Sequence, residues 1–320
     1  MTQVSSQSAP DAVAKKARKS TKNSSAKLVK RTQEEKSESL IESAFYAQFL
    51  IQCTLPHSDP GDVPVWERKN GSRTLVVQPG WDPHAKRSLG YPYGIIPRLT
   101  LIWMITEAKR TNSRRIQLGP SLAEFMRTLN LNPKSGGKGS SAQRMKEQIR
   151  RLLGARISYH QTLSYVSIRT GKDLTQETVI ENSLAQKRKL VWESASEAVS
   201  WNDSWIELSL DFFESIQNSV PCDMRAIKAL QRSPLAIDLY MLCAWLASHR
   251  DKHVLTWDMI GRQLGCDYAD RSNIKKKFKT AMEKVKLVYP KLRFHYLENG
   301  GGIVILASQP SVPRRKPRPF

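Results

Sequence analysis

One arrangement of elements occurs twice between residues 90 and 309, and it limits the fold more than any other feature of the chain. The first copy runs from an apolar helix pattern, RLTLIWMITEAKR, through a short extended IQLG to SLAEFMRTLN, and then to a basic helix pattern, SSAQRMKEQIRRLLGAR. The second runs SPLAIDLYMLCAWLASHR, HVL, TWDMIGRQLG and DRSNIKKKFKTAMEKVKLVY. Helix starts are marked independently of periodicity. Ser121 with Glu124, and Ser140 with Gln143, have capping-box spacing, in which two orphan backbone donors are satisfied reciprocally. Ser233 before Pro234 puts proline at the first helical position, where its missing N–H costs nothing. Asp270 or Ser272 suits the cap of the last basic helix. After the basic helix of the first copy come RISYHQTLSYVSI, KRKLVWES and SWIELSL, with rough alternation or β-branched content. After that of the second come KLRFHYLE and GIVILAS, separated by Asn299, Gly300 and Gly301, a strong hairpin signal. Three helices and a terminal hairpin, twice over, predict an α+β, mainly helical fold with two tandem winged-helix domains, at 85–219 and 220–309.

The remaining residues fall outside this pattern. Residues 1–40 are rich in Ser, Lys, Gln and Ala and carry few large apolar side chains, so they cannot bury enough surface to offset ordering; a flexible basic tail is expected. Residues 310–320, PSVPRRKPRPF, form a second basic, proline-rich tail. The stretch 41–84 is a poorly defined helix and loop segment: a short amphipathic helix fits 39–49, and prolines and glycines make 54–84 a loop. It either closes the first domain or belongs to a dimer interface.

Charge decides the class of partner. Lys and Arg total 51 against 29 Asp and Glu, a formal net charge of +22 with a pI near 10.0. Such an excess points to a polyanion, because each phosphate neutralised releases condensed counterions. A generic basic protein and a site-specific DNA binder both satisfy it, and the placement of the charge separates them. In a helix-turn-helix the second helix of the pair enters the major groove; here that is the third helix of each copy, and it is the basic one. In the second copy it carries Arg271, Lys275, Lys276, Lys277 and Lys279, while Ile274, Phe278, Met282 and Val285 recur on the buried side. Ser272 and Asn273 at its start suit hydrogen bonds to bases, and the lysines suit phosphates. In the first copy Gln143, Arg144, Lys146 and Arg150 occupy the equivalent helix, and Lys134 and Lys138 lie in the loop before it. The expected DNA-binding residues are Lys138, Gln143, Arg144, Lys146, Arg150, Arg271, Ser272, Asn273, Lys275, Lys276 and Lys279. For one basic helix alone, a solvated charged face is the simpler account; two such helices, each before a candidate wing, favour DNA.

Catalysis finds no support. SGGKGSS has Gly139 where a phosphate loop needs Ser or Thr after the Gly-Lys pair. His249-Arg250-Asp251 matches a kinase triplet, but neither the metal-binding triplet nor the glycine-rich loop of a kinase accompanies it. His249 and His253 stand at i, i+4 without a third metal ligand nearby, and no two histidines flank an apolar residue as a rolling-circle nickase requires. The four cysteines (53, 222, 243 and 266) form no CxxC pair, so neither a zinc site nor disulfides are expected. Trp103, Trp245, Trp257 and Tyr240 sit at apolar helical positions and read as core, so single-strand binding draws no support from them. No apolar run approaches the ~20 residues of a membrane span, and MTQVSSQSAP lacks a secretory apolar segment. The expectation is a cytoplasmic protein without catalytic site, metal or cofactor.

The stretch Tyr91-Pro-Tyr-Gly-Ile-Ile-Pro-Arg-Leu, followed by TEAKRTNSR, LGPSLAEFMRTL and MKEQIRRLL, resembles the plasmid-encoded RepA replication initiator family. RSPLAIDLYMLCAWLASHR, TWDMIGRQLG, VYP and ILASQPSVP are similar to the C-terminal part of the same family. The match spans roughly 90–312 and departs at Asn130, where glycine is usual, and at Leu153, where an aromatic is common. The resemblance implies a plasmid replication initiator that binds repeated double-stranded sites at the origin, promotes opening of an adjacent AT-rich region, and recruits host initiation and helicase proteins. It also implies repression of its own promoter as a homodimer. A plasmid-borne transcriptional repressor would use the same modules, and a rolling-circle nickase is the enzymatic alternative.

Overall fold

A computed structural model describes residues 43–133, 140–166, 169–192, 201–249, 251–265, 271–298 and 300–313, the side chains of 182 and 271–273 excepted. Both expected tails lie outside the described residues, apart from 310–313.

In chain order, β1 (Ser43–Tyr46) and α1 (Gln48–Gln52) precede the hairpin β2 (Trp66–Asn70) and β3 (Arg73–Gln78) and two short strands, β4 (Trp81–Asp82) and β5 (Arg87–Ser88). Then follow α2 (Ile95–Thr111), β6 (Arg115–Gln117), α3 (Leu122–Thr128), α4 (Ser141–Gly154), and the long hairpin β7 (Arg156–Val166) and β8 (Asp173–Ser183). β9 (Ala185–Lys189), β10 (Trp205–Leu208) and α5 (Leu210–Ser215) complete the first half. The second half comprises β11 (Val220–Asp223), α6 (Met224–Leu230), α7 (Pro234–Ala247), β12 (His253–Thr256), α8 (Trp257–Leu264), α9 (Arg271–Val288), β13 (Arg293–Tyr296) and β14 (Gly302–Leu306).

The caps that mark the helix starts are formed. Ser121, Ser140 and Ser233 accept the backbone N–H of Glu124, Gln143 and Ala236, and Pro234 opens α7. Asn130 adopts φ 55°, the left-handed region, which explains why glycine suits that place and why asparagine is tolerated there.

The fold is α+β but not mainly helical. Among the described residues 41% are helical and 28% are strand, in five sheets. Two features correct the expectation. Residues 66–78, expected as loop, form a hairpin turning at Gly71 and Ser72, with Trp66, Arg68, Leu75 and Val77 buried in alternation. An inserted hairpin also departs from the repeated layout. In the second half β12, β14 and β13 close a three-stranded antiparallel sheet of their own. In the first half β6, β10 and β9 close an antiparallel sheet of the same order, but the hairpin β7–β8 stands between α4 and that sheet's last two strands and pairs with β2–β3 in a four-stranded sheet ordered β2-β3-β7-β8. The halves share the order of three helices and of this three-stranded sheet, and differ by the β7–β8 hairpin and its pairing with β2–β3.

The segment preceding α2 binds the halves together. Residues 43–46, within the span expected to be helical, pair antiparallel with β11 from Ser43 opposite Asp223 to Tyr46 opposite Val220, burying Ala44 and Tyr46. The Phe45 N–H donates to Thr106 Oγ1 on α2 (3.0 Å). Gln263 of α8 donates from Nε2 to Ile51 O at 3.1 Å, and Tyr159 of β7 donates to Gln52 Oε1 at 2.6 Å. One continuous set of buried residues runs from Ala44 to Ile305.

At its centre lies a buried ion pair. Arg98 of α2 donates to both carboxylate oxygens of Asp238 on α7 (2.8 and 2.7 Å), and its remaining N–H groups reach the carbonyls of Leu55, Pro56 and Gly94. His57 Nε2 lies 2.7 Å from Asp238 Oδ2 and donates to it in the neutral tautomer. Burial by itself would raise the Asp238 carboxyl pKa. The Arg98 charge and the hydrogen bonds from His57 and Arg98 outweigh it and hold the group below its ordinary value. Such a pair, fully hydrogen-bonded, costs desolvation on formation, yet losing one partner strands a charge in the core at about 3–5 kcal/mol.

Candidate nucleic-acid interface

The two basic helices expected to meet DNA are built alike and surrounded differently. α9 buries Ile274, Phe278, Met282 and Val285 on one side, which turns Lys276 and Lys277 out to solvent and leaves Lys275 and Lys279 half-buried at the edge toward the β13–β14 hairpin. That hairpin is fixed to the helix pair. The Trp257 indole N–H at the start of α8 donates to Gly300 O (2.6 Å), and the Trp257 backbone N–H donates to Gly301 O (3.1 Å). The Trp257 ring packs edge-on against Phe278 of α9 and tilted against Tyr296 of β13, with centroids 5.2 and 6.3 Å apart. Lys279 Nζ rests 4.8 Å from the Tyr296 ring centroid. Gly300, at φ 66°, has Lys275 Nζ only 3.2 Å from where a Cβ would stand. The turn thus needs glycine both for its backbone and for the approach of a lysine. Lys275 and Lys279 are brought beside the hairpin, and Lys276 stays exposed on the same helix. The helix begins at Arg271, but the side chains of Arg271, Ser272 and Asn273 lie outside the described residues, as do Lys134, Lys138 and Asp270.

α4 buries Met145, Gln148, Ile149, Leu152 and Leu153 and exposes Gln143, Arg144 and Arg150, with Lys146 half-buried. Gln143, Lys146 and Arg150 line a groove of about 790 Å³ whose other walls include Asp59, Asp62, Asp82 and, from α4 itself, Glu147. Arg151 in the same groove is held by Asp59 at 3.2 Å and by Glu147 one turn earlier. Backbone N–H groups of His84 and Ala85 donate to Asp82, the Ala85 bond foremost, and keep its carboxyl below the usual range. Arg150 lies over the Trp192 ring at 6.0 Å from the centroid. These carboxylates were not legible as neighbours, because 54–84 carries no periodicity that says which helix its loops will face. Trp257, read as core, packs on the core and also holds the hairpin turn; its place at the head of α8, opposite an Asn-Gly turn, was the available signal.

Among the described residues no helix is long and apolar enough to cross a membrane, and no group of three or more His, Cys, Asp or Glu is placed to hold a metal ion.

The family model described as plasmid encoded RepA protein matches residues 91–259, just over half of the chain. The chain belongs to the plasmid-encoded RepA family. Membership covers α2 to the start of α8, which includes α4 and the buried Arg98–Asp238 pair, and carries with it the role of a plasmid replication initiator. No curated protein matches. Two crystal structures of domains 2 and 3 of RctB are similar. One, of selenomethionine derivatives, is 11% identical and covers 79% of this chain and 94% of its own, with a TM-score of 0.46. The other is 10% identical and covers 81% and 96%, with a TM-score of 0.45.

Proposed function

We propose that this RepA-family chain binds repeated double-stranded sites at the plasmid origin, with α9 and the β13–β14 hairpin as the principal contact and α4 as a secondary one. The observation that carries the reading is Lys275 and Lys279 held against a hairpin whose turn Trp257 anchors, with Lys276 exposed on the same helix. A basic helix whose apolar stripe is packed and whose neighbouring hairpin is pinned offers phosphates a rigid surface. The lysines hold the backbone, and Asn273 at the head of α9 reads a base. Opening of an adjacent AT-rich region draws on binding energy alone, and host initiation and helicase proteins are recruited to the opened DNA. The chain does this without a catalytic step or a cofactor, and it represses its own promoter as a homodimer.

The test is a gel-shift and footprint titration on the DNA flanking the gene, at moderate salt with excess nonspecific competitor. Protection of several evenly spaced repeats beside an AT-rich stretch is expected. Protection confined to one promoter site would leave a repressor, and patternless binding would reduce α9 to a charged surface. Within that assay Asn273→Ala is expected to lose sequence preference, whereas Lys276→Ala weakens all duplexes about equally. Equal losses on origin and random duplexes for Asn273→Ala would refute its base-reading role.

A further inference from the structure

A second surface with the chemistry of nucleic-acid binding lies on the sheet β6-β10-β9, away from α9. Its inner face buries Ile116, Ile206 and Leu208. Its outer face is ordered by the strand register: Gln117, Trp205 and Lys189 form one row, and Arg115, Glu207 and Lys187 the next. Gln117, Arg115, Lys187 and Lys189 are exposed, and Trp205 is half-buried at the centre. The Arg115 guanidinium carbon sits 4.2 Å from the Trp205 ring centroid. The single carboxylate in these two rows, Glu207, is paired with Arg114 (3.2 Å), which is itself anchored to Leu208 O and Gln186. The face is therefore net cationic around an aromatic ring that the core does not require. From the reverse side Arg188 donates to Leu153 O at the end of α4, so the sheet adjoins the first basic helix.

We propose that this face binds single-stranded DNA, with bases stacking on the Trp205–Arg115 layer and phosphates neutralised by Lys187 and Lys189. The charge and the aromatic together select this occupant. A duplex hides its base faces, whereas an unpaired strand offers them to aromatic rings and guanidinium planes while its backbone tracks cations. Paired strands lie about 4.8 Å apart, so Arg115 and Lys187 stand roughly 10 Å apart in the row beside the ring, and Lys189 stands next to the ring in its own row. The inference does not depend on which surface reads the duplex.

The experiment titrates the full chain against a labelled twenty-nucleotide oligo-dT, with a random duplex and oligo-rU of the same length as separate arms. The unaltered chain is expected to bind oligo-dT, and Trp205→Ala to weaken that binding about tenfold, as loss of one stacked base does. Trp205→Phe, which keeps a ring, is expected to retain most of it, and duplex binding is expected to be unchanged in both. The pair Lys187→Ala and Lys189→Ala is expected to reduce the salt slope on oligo-dT by about 1.4, at roughly 0.7 per phosphate contact on single strands. No affinity of the unaltered chain for oligo-dT, unaltered oligo-dT binding in Trp205→Ala, or equal losses on oligo-dT and duplex would each overturn the proposal; tighter binding of oligo-rU would overturn its assignment to DNA. A chain that failed to footprint origin DNA yet lost oligo-dT binding in Trp205→Ala would sink the duplex reading and leave this one standing.

Discussion

α4 and α9 occupy the same place in two successive three-helix units, and each buries an apolar stripe while exposing cations. Their surroundings set them apart. α9 carries Glu283 on its own surface and lies against a hairpin whose carboxylate is Glu298 at the turn, and whose aromatic and glycine residues lie against two of its lysines. α4 lies along a groove walled by Asp59, Asp62 and Asp82, with Glu147 on its own surface. The charge of a helix is thus a poor guide to what it binds until the loops facing it are known. Carboxylates a few ångströms away subtract from the field a phosphate would meet, less so where a cation already pairs with them, as Arg151 does with Asp59 and Glu147.

The largest test asks whether the two helices can be compared as parts of one body. Asp238→Ala strands Arg98 in the core and is expected to cost about 3–5 kcal/mol. Urea unfolding should show a single transition shifted for both halves, because β1, α2, α7 and β11 share that core. Two separate transitions would dissolve the premise. Acid sharpens the same point. Burial pushes the His57 pKa below 6.5 against the opposing pull of Asp238, so the unfolded chain takes up this proton first. Stability then declines as the pH falls below 6.5, until the lower folded pKa is reached. Asp238, depressed in the fold, contributes stability that is complete above about pH 4 and is lost as the pH falls through its folded value. Urea midpoints across a pH series should fall in two stages, and His57→Gln should remove the upper one.

Next in size is the contrast on DNA. Lys275→Ala with Lys276→Ala is expected to weaken duplex binding roughly tenfold and to reduce the salt slope by about 1.8, at roughly 0.9 per phosphate. Arg144→Ala with Arg150→Ala is expected to cost less than about threefold, since Arg150 is already drawn to Trp192 and faces carboxylates. Equal effects in anisotropy titrations at several salt concentrations would break the comparison. Trp257→Phe should follow, removing the bond to Gly300 at a cost of about 1 kcal/mol and loosening the hairpin beside Lys275. Thermal unfolding measures the first effect and specific affinity the second.

The sequence was informative where structure is local and silent where it is not. The serine caps, the apolar stripes of α4 and α9 and the β13–β14 hairpin all rest on spacings of a few residues, and they can be read directly. The sheet assignments were not open to this reading, because β6 finds β10 some ninety residues away, and β7 finds β3 in a stretch read as loop. Part of that loop was nonetheless marked. Asn70-Gly71 sits between WERK and SRTLVV, the same turn signal that was recognised at Asn299-Gly300. The buried ion pair also left a trace. Asp238 is the one charge of α7, and Arg98 stands among apolar residues two turns before the charged end of α2; a charge placed there must find a partner. What no pattern could show is that they find each other. Trp205 leaves no such trace, since WIEL reads as a strand without saying which of its faces is covered.

The smallest expected effect bears on the groove itself. Asp62 is exposed and lies in a loop across from Gln143, Lys146 and Arg150. Asp62→Asn removes one negative charge without opening a cavity, so unfolding should be unchanged. If α4 approaches the DNA backbone, that charge opposes it across several ångströms of water and salt, and its loss should raise duplex affinity about twofold at low salt and less at high salt. The gain should persist in the Lys275→Ala, Lys276→Ala background, because it acts through the other unit. An affinity that stays the same at every salt concentration would place α4 outside the footprint. The two helices would then differ in position on the DNA and not merely in the charges around them.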